Sequence, residues 1–111
     1  MFERVKRLNP FLQQQLAEII AEKIEVPPDF LITVTKVDCG ADMKAAKVFI
    51  SVLPFDKARD GLVFLIQQRQ EIQRLLAPKL KTKFMPVLTF VLDETEETAS
   101  RIYEVLDDLD K

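Results

Sequence analysis

The chain has no histidine and no tryptophan, and among its 111 residues it has one cysteine, one tyrosine and two glycines. Each shortage removes a chemistry. Without histidine, the commonest general base and metal ligand is missing. Cys39 stands alone, so it can form neither an internal disulfide nor a thiolate zinc site, and it reads as a buried or half-buried structural thiol. Gly40 and Gly61 cannot supply a phosphate loop or a dinucleotide-binding fingerprint. No apolar run approaches the ~18 residues that a membrane span requires. The N-terminal "MFERVKRLNP" gives way to "QQQLAE" rather than to the apolar stretch of a signal peptide. The expectation is a cytoplasmic monomer with no membrane association, cofactor, metal, catalytic residue or small-molecule substrate.

Hydrophobic residues at 48% and charged residues at 31% suit one globular domain over residues 1–111. The formal charge of −2 conceals an asymmetry. Residues 93–111 hold eight acids against Arg101 and Lys111, a net −6, while residues 1–92 are net +4. A basic body with an acidic end is compatible with a polyanionic partner. The acids themselves have simpler explanations than catalysis. Those near the end cap and solubilise a helix, and Asp38 and Asp42 flank a turn, so an enzyme is not expected.

Periodicity divides the chain into seven elements. In "LNPFLQQQLAEIIAEKIEVPP", Asn9 suits a helix N-cap and Pro10 the first helical position. Leu12, Leu16, Ile19, Ile20 and Ile24 then make one apolar stripe. "FLITVTKVDC" and "AAKVFISVLP" are β-rich and joined through "CGADMK" as a hairpin. Ala46, Val48, Ile50 and Val52 fall on one face of the second strand, with Lys47, Phe49 and Ser51 on the other. Residues 57–77 return to helical spacing but are interrupted by "QQRQE", which predicts two helices or a kink, ended at Pro78. "MPVLTFVLD" is a third strand, entered at Pro86. "ETEETASRIYEVLDDLD" closes the chain as a helix. The order α-β-β-α-α-β-α predicts an α+β domain, a small three-stranded sheet with helices on one face.

The stretch "KLKTKF" puts Lys79, Lys81 and Lys83 at alternate positions. If extended, it is a short cationic comb; solvated lysines at a turn are the plain alternative. Arg69 and Arg74 lie just upstream, and Lys36, Lys44 and Lys47 belong to the hairpin. Convergence of these eight cations beside the helix break is the expectation that would make a polyanion-binding surface, with the "QQRQE" amides adding hydrogen bonds to phosphate and sugar. Phe49 beside Lys47 offers a ring for base stacking, but a helix-covered core position is its preferred assignment.

Two long stretches, "ITVTKVDCGADMKAAKVFISVLP" and "LLAPKLKTKFMPVLTFVLDET", resemble the ribosome-binding factor A family over about residues 4–106. The resemblance is carried by Thr33-Val34-Thr35, by Asp42-Met43 leading into Ala46-Lys47-Val48-Phe49-Ile50-Ser51, and by Pro86, Leu88-Thr89-Phe90 and Asp93. It implies a KH-like (type II) domain that binds 16S rRNA on the small (30S) ribosomal subunit during late assembly. It also implies a helix–kink–helix in place of a glycine-rich loop. The family's Ala-x-Gly at that kink corresponds here to Gln68-Arg69-Gln70, without the alanine or the glycine. The RNA-binding set expected is Arg69, Arg74, Lys79, Lys81, Lys83, Lys36, Lys44 and Lys47. The rival expectation is a protein–protein module without RNA binding, docking through a sheet edge or the stripe of the last helix.

Overall fold

A computed structural model describes residues 2–80 and 85–93. Helix α1 (Phe2–Glu22) leads to strands β1 (Leu31–Cys39) and β2 (Ala45–Leu53), helices α2 (Ala58–Gln67) and α3 (Arg69–Leu76), and strand β3 (Val87–Leu92). Short 3₁₀ turns at Phe55–Lys57 and Ala77–Lys79 flank the helix pair. The α-β-β-α-α-β order is the KH-like one expected. The helix predicted at the C-terminal end lies outside the described residues.

β2 is the central strand, antiparallel to β1 and parallel to β3. A hairpin suffices for the first pairing, whereas the second requires a crossover, which α2 and α3 supply. The hairpin closes with Gly40 N–H donating to Ala45 O at 2.9 Å. Its left-handed residue is Met43, at φ 60°, rather than Gly40. Asp42 Oδ1 accepts from Lys44 N–H at 3.1 Å, the turn role read for it in the sequence.

The core forms where the apolar stripe of each helix meets one face of the sheet. Leu12 and Leu16 of α1, Leu65 of α2, Ile72 and Leu76 of α3, and Ala46, Val48, Ile50 and Leu88 of the strands are fully buried. α2 comes close to β2 at Gly61, where a Cβ would lie 2.8 and 2.9 Å from the two methyl groups of Val52. That contact explains a glycine in mid-helix despite its cost of about 1 kcal/mol relative to alanine.

The first helix differs from the expectation. It runs through Pro10 without starting there, so Asn9 is no N-cap. Proline denies an N–H to the carbonyl four residues back, yet the buried stripe carries the helix past it. Asn9 is used elsewhere: its Oδ1 accepts from the backbone N–H of Cys39 at 2.9 Å. One turn on, Gln13 Nε2 donates to the carbonyl of Thr35 at 3.1 Å. Side chains of α1 thus fasten the outer edge of β1. Cys39 is buried, as read, and burial raises its thiol pKa, with the carboxylates of Asp38 and Asp42 adding to the shift.

Candidate nucleic-acid interface

The face of the sheet opposite the helices carries the hairpin cations. Register places Lys36 of β1 across from Phe49 of β2, and Asp38 across from Lys47, which is flanked on its other side by Thr89 of β3. Lys36 Nζ stands 5.0 Å from the centre of the Phe49 ring, within cation–π range. This corrects the core assignment of Phe49. The ring is half-buried on the side of Lys47, because strict alternation along β2 leaves no other place for it once Val48 and Ile50 face the helices. The pairing of Lys36 with Phe49 depends on an irregularity between Val34 and Lys36 that sets one extra residue, Thr35, into β1. Thr35 Oγ1 lies 2.7 Å from Asp93 Oδ2 and 3.3 Å from the carbonyl of Phe49, so a single hydroxyl links β1 and β2 to the end of β3.

The second group of cations belongs to the helix layer. The break between α2 and α3 is a single residue, Gln68, at φ −91° and ψ 2°. Its N–H is shared between the carbonyls of Phe64 and Leu65, both at 3.1 Å, while its own carbonyl accepts from Ile72 N–H at 2.9 Å. The two helices meet at this one residue, whose negative φ is open to any side chain, so the bend requires no glycine. Gln67, Arg69 and Gln70 are exposed at this bend, and Gln68 is half-buried. Gln73 is engaged within the protein, its Oε1 accepting from Leu88 N–H at 3.1 Å.

Arg74 is exposed but already paired. Its Nε and Nη2 donate to Glu71 Oε2 and Oε1 at 2.9 and 2.5 Å. Those bonds hold the Glu71 carboxyl below its ordinary pKa and raise that of Arg74. Lys79 sits in a 3₁₀ turn, not in an extended comb, and lines a pit of about 70 Å³ together with Glu18, Glu22 and Lys23 of α1 and its exit. Lys81 and Lys83 lie outside the described residues.

The expected single patch is therefore divided. Lys36 and Lys47 occupy the open face of the sheet and Lys44 the hairpin end, whereas Arg69, Arg74 and Lys79 belong to the helices on the other face. Strand and helix segments adjacent in sequence are placed in different layers by the crossover, which charge counting along the chain cannot reveal. Among the described residues, no helix is long and apolar enough to cross a membrane.

Comparison with known proteins agrees with this architecture. The sequence model of the family "Ribosome-binding factor A" matches residues 4–106. Ribosome-binding factor A of Bdellovibrio bacteriovorus is 33% identical over 108 residues, covering 96% of this chain and 81% of the relative. That of Thermodesulfovibrio yellowstonii is 34% identical over 110 residues, covering 99% and 93%. The crystal structure of ribosome-binding factor A from Thermus thermophilus superposes with a TM-score of 0.71 at 22% identity, over 79% of this chain and 93% of that one. A homology model of the Thermus thermophilus factor, fitted into the cryo-EM map of a 30S–RbfA complex, gives a TM-score of 0.64 at 25% identity, over 77% and 90%. With the full element order and nearly the whole length matched, the chain belongs to the ribosome-binding factor A family.

Proposed function

We propose that this protein is a non-enzymatic assembly factor that binds 16S rRNA on the immature small subunit and assists its late maturation. The family and the 30S complex of a structural relative support the subunit as the target. The observation that carries the rRNA reading is the cationic sheet face, where Lys36, Phe49, Lys47 and Thr89 combine positive charge with an aromatic ring and a hydroxyl. Arg69, exposed at the helix bend and outside the ion pair that occupies Arg74, is a second contact on the other layer. Lysine and arginine contacts to phosphate fix position more than sequence, so selectivity comes from the shape of folded rRNA. Transient occupancy of an immature subunit then favours the conformer that binds the factor better, in proportion to the difference in affinity.

Lys36, Lys44, Lys47 and Arg69 are the principal phosphate contacts, with Lys81 and Lys83 as further candidates. Four neutralised phosphates give log affinity for 16S rRNA a slope of about −3 to −4 against log salt. Replacing Lys36 and Lys47 together by glutamine is expected to make that slope shallower by about 1.5. A slope unmoved by this change removes the sheet face from the interface. Association that is insensitive to salt favours a protein partner.

A further inference from the structure

At the end of the sheet away from the hairpin, α1 stops while β1 is only beginning, and a groove of about 560 Å³ lies between them. Ile20 and Ala21 of α1, with Ile24 just beyond it, form one wall, Pro27 the end, and Phe30 with Leu31 and Ile32 of β1 the other wall. Leu31 is 64% exposed, the most exposed large apolar side chain among the described residues. Phe30 is fixed from behind by an edge-to-face contact with Phe64 of α2, centroids 6.1 Å apart, so this wall is built rather than loose.

The groove runs beside the edge of β1 that α1 fails to protect. An edge strand presents unpaired N–H and C=O groups that can recruit another strand. Asn9 and Gln13 occupy two such positions, at Cys39 and Thr35. Residues on the same side of the pleat turn their backbone groups toward the same edge. Ile32 shares the core-facing side with Cys39, and among the described residues no side chain reaches its backbone. One half of the edge is closed and the other is open next to an apolar wall.

Charge selects the occupant. Glu25 is the charged residue lining the groove, and Asp29 stands exposed between Pro28 and Phe30. Lys23, the basic residue nearest in sequence, lines the pit on another side of α1. Two carboxylates disfavour a nucleic-acid backbone here. We infer that this groove takes an extended, basic polypeptide segment, which adds as a short strand to β1 at Ile32. Apolar side chains at alternate positions enter the groove, and lysines or arginines meet Glu25 and Asp29. Only the source of the peptide rests on the ribosomal reading. The site itself is independent of it.

The test uses the ¹⁵N-labelled full chain and a synthetic one-strand peptide alternating valine with lysine, against a control with glutamate in place of lysine. The lysine peptide is expected to shift amide signals at 21–24 and 30–32 and to slow hydrogen exchange at Ile32, while the glutamate peptide does neither. Ala21→Lys, at an exposed helical position lining the groove, should abolish these shifts without altering 16S rRNA binding. Glu25→Lys with Asp29→Lys should weaken the peptide about tenfold at low salt. Equal binding of both peptides overturns the inference. So do shifts confined to Lys36 and Lys47, no shift with either peptide, and concentration-dependent signals at Ile32 without peptide, which would place a second copy at the edge. Loss of rRNA binding in Lys36→Gln/Lys47→Gln with peptide binding retained separates the two sites.

Discussion

The two faces of β2 are made from the same nine residues and have opposite uses. Toward the helices, Ala46, Val48 and Ile50 are fully buried and Val52 nearly so. Toward the other side, Lys47 is exposed and Phe49 half-buried under the ammonium of Lys36. One side is occupied with holding the fold, which leaves the other able to vary its charge at little cost. The difference teaches where stability and binding can be separated by mutation.

The comparison would be broken most directly at Ile50. Ile50→Ala is expected to lose about 2–5 kcal/mol in chemical denaturation. Lys47→Gln, on the open face of the same strand, should stay within about 0.5 kcal/mol. A comparable loss at both would mean that the open face also carries the fold. Gly61→Ala comes next: the new methyl group meets Val52 and should cost about 1–3 kcal/mol despite alanine's better helix propensity. Combining it with Val52→Ala should recover part of that loss in a double-mutant cycle.

Thr35→Val sharpens the boundary between the faces. It removes the hydroxyl shared with Asp93 and the Phe49 carbonyl, and is expected to cost about 1 kcal/mol. The smallest effect is alkaline. The folded chain keeps the Cys39 thiol protonated beyond the pH at which the unfolded chain ionises it. Stability from this group is therefore complete below the unfolded pKa of about 8.5 and declines as pH rises through the folded value. The wild type should lose more stability than Cys39→Ala between neutral pH and about pH 10, measured as the difference between their denaturation curves.

Much of the fold was legible because buried residues repeat with the period of their element. The alternation at 46–52, the stripe from Leu12 to Ile20 and the polar interruption at 67–71 each mark an element that is present. What escaped the reading depends on contacts distant in sequence. Asn9 resembles a helix cap until Cys39 is brought beside it. Lys36 meets Phe49 only through the extra residue at Thr35, which nothing in "ITVTKVDC" announces. Gly61 was a signal that could have been used, since a glycine inside a helical pattern marks a close approach. The candidate site was read less completely than the fold. Charge counted along the chain identified the cations but not their layers, and Arg74 had its partner three residues away at Glu71.

The bond from Leu88 N–H to the Gln73 side chain has a mechanical meaning. α2 and α3 are joined at Gln68 alone, and the second of them is riveted to β3 by this bond. A pull exerted at Arg69, the first residue of α3, therefore reaches β3 through the helix that carries Gln73.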